Sequence, residues 1–201
     1  MGTERNLRLN WGVARLFGIT KLIHALYVYK ERRQVRMVMQ KTNKIFCIGA
    51  NKTGTTSLSK TFKDWHFRVG IQREAELIAL DHYTNDVSKI IQYCNTAEVF
   101  QDVPFSLPNS YIYLDNAFPK SKFILTVRDT KDQWYNSCLK FHSKLFGDGV
   151  KTPNWNDIEK FNYVKPGWPI MMQKKMYGVN ENESPYNYEK LTKFYEQHIV
   201  D

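Results

Sequence analysis

The chain has 201 residues, 42% hydrophobic and 24% charged, with a net charge of +9. That balance belongs to a folded globular protein long enough to bury a core, and it excludes a disordered or membrane-spanning chain. Three cysteines, Cys47, Cys94 and Cys138, come without a Cys-x-x-Cys spacing. This argues against a disulfide framework or a zinc site and for a reducing, cytoplasmic setting in which Cys47 and Cys138 act as small buried apolar residues.

The charge is unevenly spread. Residues 1–44 hold ten Lys/Arg against Glu4 and Glu31, whereas residues 45–201 hold nineteen against eighteen acidic residues. The basic excess therefore belongs to an N-terminal extension, residues 1–43, and the nearly neutral body, 44–201, gives no reason to expect a nucleic-acid partner. Within the extension Trp11–Tyr29 is apolar and aromatic, but Arg15, Lys21 and His24 interrupt it. No stretch reaches the roughly 20 residues of a bilayer span, and no compact apolar core with a small-residue cleavage site marks a signal peptide. Two readings follow. Residues 1–40 could lie on an anionic membrane surface, with Trp11, Phe17, Tyr27 and Tyr29 at the interface. The other reading is a helix packed on a domain, which the helical spacing favours because Lys21 and His24 fall nearly opposite Arg8 and Arg15.

Along the body, Lys44–Ile48 reads as a strand, Thr55–Trp65 as a helix and Phe67–Val69 as a short strand ended by Gly70. Residues 74–95 read helical, with an interruption around His82–Asn85. Glu98–Gln101 is a strand, Tyr111–Phe118 a short helix, Lys122–Val127 the clearest strand and Lys131–Phe146 a helix. Residues 147–187, rich in Gly, Pro, Asn and aromatics with little periodicity, read as a long loop or lid. Residues 188–199 return to a helix. Strands alternating with helices predict an α/β fold with a central parallel sheet flanked by helices, and in such sheets ligands sit at the carboxyl ends of strands.

Two segments carry chemistry. Residues 44–58 run from an apolar strand into Gly49-Ala-Asn-Lys-Thr-Gly-Thr-Thr-Ser57 and then into a helix. A glycine turn at a helix N-terminus gathers backbone amides into an anion site. The lysine is misplaced for an NTPase, because Gly-x-x-x-x-Gly-Lys-Ser/Thr puts it after the second glycine, whereas Lys52 precedes Gly54 and Thr55 fills the usual lysine position. The second segment, Lys122-Phe-Ile-Leu-Thr-Val-Arg128, is a strand run ending in a guanidinium suited to phosphate, followed by Trp134-Tyr-Asn-Ser137 on a helix.

The pair, in this order, resembles the signature of the sulfotransferases that use 3′-phosphoadenosine 5′-phosphosulfate (PAPS), over roughly residues 44–146. The resemblance implies a P-loop-like sulfotransferase fold and transfer of a sulfuryl group from PAPS to a hydroxyl or amine acceptor. It implies that Lys52, Thr53, Gly54, Thr55, Thr56 and Ser57 grip the 5′-phosphosulfate, with Lys52 also catalytic, and that Arg128 and Ser137 grip the 3′-phosphate. The family's serine commonly lies eight residues after the arginine; Asn136 holds that place here, and Ser137 fits if one residue is inserted before the helix. Residues 147–187 would shape the acceptor pocket. The family usually continues past the last helix into a further strand and a segment on the nucleoside side, so the stop at Asp201 raises the expectation of a shortened domain that binds nucleotide without turnover.

A general base is harder to place. Asp102, in Phe100-Gln-Asp-Val-Pro104 at a predicted strand end, is the carboxylate on the same mouth; His66, His82 and His142 are alternatives, His142 the best of them. A rival reading is a P-loop kinase or NTPase, since Tyr111-Ile-Tyr-Leu-Asp115 imitates the apolar run and aspartate that hold magnesium in those proteins. The acceptor itself is not specified by any motif.

Overall fold

The computed structural model describes residues 44–84 and 86–200, together with Ala25, Leu26, Tyr29 and Lys30 of the extension. Those four residues are helical and exposed; the rest of the expected extension helix and its membrane contact lie outside the described residues. Thr42–Asp201 forms one compact unit, Met1–Lys41 another, and everything below concerns the first. Among the described residues no helix is long and apolar enough to cross a membrane.

Three short strands, β1 (Ile45–Cys47), β2 (Val99–Gln101) and β3 (Lys122–Ile124), form a parallel sheet in the order β2-β1-β3. Ile45 pairs with Val99 on one side and with Lys122 on the other. The α/β class with a flanked parallel sheet is the one the alternating pattern predicts. All three residues of β1 are buried, as a central strand covered on both faces requires. Phe46 sits among Phe100, Phe105 and Phe123, its ring 5.6–5.8 Å from each. A second cluster gathers Trp134, Cys138, Ile158, Leu191 and Tyr195.

The helices are α1 (Thr55–Asp64), α2 (Gln72–Leu77), α3 (Ser88–Tyr93), α4 (Ser110–Ala117), α5 (Lys131–Phe146), α6 (Trp155–Lys160), α7 (Trp168–Tyr177) and α8 (Tyr188–Val200), with a 3-10 turn at Ala79–Tyr83. Four expectations need correction. Phe67–Val69 is not a strand but a single bridge from Val69 to Val99, because the chain turns at Gly70 into the start of α2. Residues 74–95 break after Tyr83, as the interruption around His82–Asn85 predicts, but also at Ile78, which makes the first part α2 and a 3-10 turn before α3. β3 stops at Ile124 rather than Val127, since beyond it Thr126 leaves the ladder to pass against Gly49.

The largest correction concerns 147–187, which is no open loop: it folds into α6 and α7. Asn154 and Asp157 form a capping box that starts α6. Gly167 and Gly178, both in the left-handed region, bracket α7, and Pro169 stands in its first turn. All three cysteines are buried thiols, and burial pushes Cys47 and Cys138 up to about 12, so they are the inert apolar residues expected.

Candidate active site

The loop after β1 is shaped by two glycines and three tethers. At Gly49 a Cβ would meet the Thr126 hydroxyl at 2.2 Å and its backbone oxygen at 2.5 Å, so only glycine lets the loop pass the end of β3. The carbonyls that follow are tied back. Ala50 accepts from Thr53 Oγ1 at 2.6 Å, Asn51 from Trp134 Nε1 at 2.8 Å and Lys52 from Arg128 Nε at 2.8 Å. Lys52 at φ 67° and Gly54 at φ 105° then turn the chain into α1. Gly54 supplies no side-chain cap, and the first-turn amides of a helix have no intrahelical acceptor. With the carbonyls held away, the positive end of α1 is presented by Gly54, Thr55 and Thr56, all of which line a cavity of about 320 Å³.

Arg128 and Ser137 line the same cavity. Arg128 is held from two sides: its backbone N–H donates to Tyr195 Oη at 2.6 Å, and Nε is taken by the Lys52 carbonyl. Trp134, fully buried, is stacked on Tyr195 with ring centres 4.6 Å apart. One α8 tyrosine and one α5 tryptophan therefore lock the arginine segment to the lysine loop. Asn136 is exposed and does not line the cavity.

Lys52 reaches into the cavity with its ammonium 3.5 Å from the centre of the Phe141 ring, a cation–π contact. Burial, with the neighbouring Arg128 charge adding to it, holds its pKa below the usual lysine value. Asp102 follows β2 at φ 62°; its Oδ1 accepts from the Val103 amide at 2.9 Å and its Oδ2 from Thr55 Oγ1 at 3.3 Å. Burial pushes its carboxyl above the ordinary aspartate value, against the two hydrogen bonds and the Lys52 charge. The carboxylate thus sits beside Thr55, the first residue of α1.

Among the described histidines, His142 alone lines the cavity. Burial lowers its pKa to about 4, and its Nδ1 is shut from solvent without a hydrogen-bond partner among the described residues. His82 meets Tyr113 Oη at 3.2 Å and His66 is exposed; neither lines the cavity. Thr53 and Ser57 are also off the wall: the Thr53 hydroxyl is held by Ala50 and by Thr126 Oγ1 at 2.8 Å, which makes it a brace of the loop, and Ser57 is exposed on α1. Tyr111–Asp115, the run that imitates a magnesium-holding aspartate, lies within α4, in line with the helix expected over Tyr111–Phe118, with Asp115 exposed and away from the cavity. The kinase reading loses its structural context there.

The structure adds a residue that sequence reasoning missed. Glu76 lines the cavity, is 7% exposed and accepts from Tyr163 Oη at 2.7 Å, with Arg73 3.7 Å away. Burial raises its pKa above the ordinary glutamate value. Its apolar neighbour Leu77, by contrast, is 52% exposed.

The site thus joins the glycine loop and open N-terminus of α1, a braced arginine and two buried carboxyls, Asp102 at the carboxyl end of β2 and Glu76 on α2, at the edge of the sheet where α/β folds bind ligands. No curated protein matches the chain. The model of the sulfotransferase domain family matches residues 44–201, a span that takes in every strand and helix named above and all of the cavity wall, and the chain belongs to that family.

Proposed function

We propose that this domain takes its sulfuryl group from PAPS and delivers it to a hydroxyl or amine acceptor. The observation that carries the reading is the Arg128 Nε bond to the Lys52 carbonyl, because it fixes two separate anion sites at one spacing and PAPS has an anionic group at each of two ribose positions. The residues present fit such a donor. The amides of Gly54–Thr56, the Thr56 hydroxyl and the Lys52 ammonium would hold the 5′ end, and Arg128 with Ser137 the 3′-phosphate.

When bound, the donor supplies a sulfuryl group already linked to a phosphate leaving group. Transfer forms an acceptor O–S or N–S bond and breaks the bridging S–O bond, whose electron pair stays on the phosphate oxygen. Lys52 stabilises the charge that grows on that oxygen. Asp102, one hydrogen bond from Thr55, takes the acceptor proton.

Calorimetry of the full chain with adenosine 3′,5′-bisphosphate and with ADP tests the donor half. The bisphosphate binds more tightly, since ADP has nothing for Arg128 and Ser137 at the 3′ position; equal affinities would sink the reading. Acceptor-dependent release of the bisphosphate from PAPS then separates a working transferase from a domain that only binds nucleotide.

A further inference from the structure

The two carboxyls on the cavity wall differ in what surrounds them. Asp102 stands beside Thr55 at the start of α1; Glu76 stands among rings. Its Oε1 accepts from Tyr163 Oη at 2.7 Å, its backbone carbonyl accepts from Trp168 Nε1 at 3.1 Å, and the Tyr163 and Trp168 rings meet edge to face with centres 5.7 Å apart. All three residues line the cavity. The neighbouring cation, Arg73, compensates this carboxyl poorly. At 3.7 Å it is beyond hydrogen-bond range, its side chain is half exposed and off the cavity wall, and it is spent on the Val164 carbonyl at 3.2 Å and on the outer side of the Tyr163 ring at 5.1 Å. Tyr163 and Gln72 give Glu76 hydrogen bonds but no charge. A buried carboxylate so placed is stabilised by a cation brought to it.

Two further groups on the wall are unspent, and both are oxygens. Gln173, 4% exposed, and Asn51 each have a side-chain carbonyl oxygen shut from solvent without a hydrogen-bond partner among the described residues, and such an oxygen can only accept. Among the described residues Lys52 and Arg128 are the Lys and Arg side chains on the wall. Each phosphate of a bound donor product carries about −1.5 to −2 at pH 7, so two of them more than neutralise that pair. What the donor leaves of the cavity is then negative, ring-lined and rich in acceptors. An anion is repelled there and a neutral polyol brings protons without charge. An ammonium brings both, and ring faces attract it. Resting on the donor reading above, we propose that the acceptor is an organic cation, held by an ammonium group distinct from its reacting hydroxyl or amine, against Glu76 and the rings of Tyr163 and Trp168. Glu76 is then a specificity-determining residue. Donor and acceptor bind with positive coupling, because the surplus negative charge of the donor favours the ammonium.

The test is calorimetry of the full chain with phenethylamine, 2-phenylethanol and phenylacetate, similar skeletons ending in a positive, a neutral and a negative group, and with glucose, each with and without saturating adenosine 3′,5′-bisphosphate. In the wild type phenethylamine binds about ten-fold or more tightly than 2-phenylethanol or glucose, the scale of one hydrogen bond to a charged partner. The bisphosphate tightens phenethylamine by about three-fold or more and weakens phenylacetate. In Glu76→Gln, which keeps an oxygen for Tyr163, phenethylamine loses its lead over the alcohol while the bisphosphate still binds, so the loss is not one of folding. Should that variant fail to fold, the opposite shifts of cation and anion in the wild type decide. Glucose or 2-phenylethanol binding as tightly as phenethylamine, a lead that survives Glu76→Gln, or a bisphosphate that leaves phenethylamine unchanged or weaker overturns this inference and leaves the donor reading standing. Failure of the wild type to bind the bisphosphate removes the donor reading and the coupling together, and the lead of phenethylamine over the alcohol then judges Glu76 alone.

Discussion

The two halves of the cavity are built from different material. The half proposed to hold the donor is made of backbone: tied-back carbonyls, the open N-terminus of α1 and a lysine and an arginine held by main-chain bonds. The half proposed for the acceptor is made of side chains, contributed by α5, α7 and Tyr163. Backbone dipoles are fixed before any ligand arrives and act on charge at no reorganisation cost, whereas a wall of rings and methionines sets shape and can be recut by substitution. Changes on the donor side should therefore alter rate and anion affinity for every acceptor, and changes on the acceptor side should alter which acceptor is used.

The sharpest way to break this division is at Asp102, the carboxylate beside the anion helix. Asp102→Asn should lower turnover by about 10²- to 10⁴-fold, the range for a lost general base, with bisphosphate affinity nearly unchanged. The wild-type rate should also show an acid limb. A base works ionised, and burial holds its proton on, so activity is lost as pH falls through a pKa above the ordinary aspartate value of 3.8. A pH–rate profile measured with PAPS checks this; an identical limb in the asparagine variant would move the base to Glu76.

Lys52→Ala should reduce single-turnover sulfuryl transfer by about 10²- to 10³-fold, as for one lost oxyanion-stabilising donor, and do so with every acceptor. An unchanged rate at saturating PAPS would make Lys52 an anchor alone. Arg128→Ala should weaken the bisphosphate by about 10- to 150-fold, the effect of losing one charge-assisted hydrogen bond, and weaken ADP far less. It also frees the Lys52 carbonyl, so a part of its effect should appear in turnover.

Smaller effects should come from the braces. Tyr195→Phe removes the acceptor of the Arg128 amide and should cost about 1–3 kcal/mol in denaturant unfolding, with a milder loss of bisphosphate affinity. His142 should give its signal in stability alone. Its folded pKa, about 4, lies below its ordinary 6.5, so between those values the unfolded chain takes up a proton that the folded one refuses. Stability is full above about 6.5 and falls as the pH drops toward 4. Thermal melts over that window should flatten in His142→Phe, and an unaltered pH dependence would assign the loss to other groups.

The legible and illegible parts of the molecule follow the same division. The strand–loop–helix passage from β1 into α1 could be read because it is a contiguous run whose glycine spacing is dictated by what a backbone turn can do at a strand end. The α5 boundaries, Lys131–Phe146, could be read for a similar local reason: Thr130 caps the helix by accepting from the Gln133 amide. Two local signals were present in 147–187 and passed over, the Asn154/Asp157 capping box and the Gly167–Gly178 bracket around α7. They were masked by the density of Gly, Pro and Asn, which reads as loop when composition is weighed ahead of position.

Glu76 could not have been found that way. An apolar side chain belongs inside and a carboxylate outside, and at Leu77 and Glu76 the fold does the reverse, because Tyr163 and Trp168 arrive from elsewhere to give the carboxyl and its backbone carbonyl their partners, beside Arg73 one turn earlier on α2. Sequence alone determined the class of sheet, the glycine turn between β1 and α1 and the span of α5, since each depends on neighbours in the chain and on backbone geometry. Only the tertiary structure decided which carboxyl is buried, that Ser137 rather than Asn136 faces the cavity, and that Phe141 lies under the Lys52 ammonium. Those outcomes depend on contacts between segments some tens of residues or more apart, where solvent exclusion, not local propensity, sets the energy of each side chain.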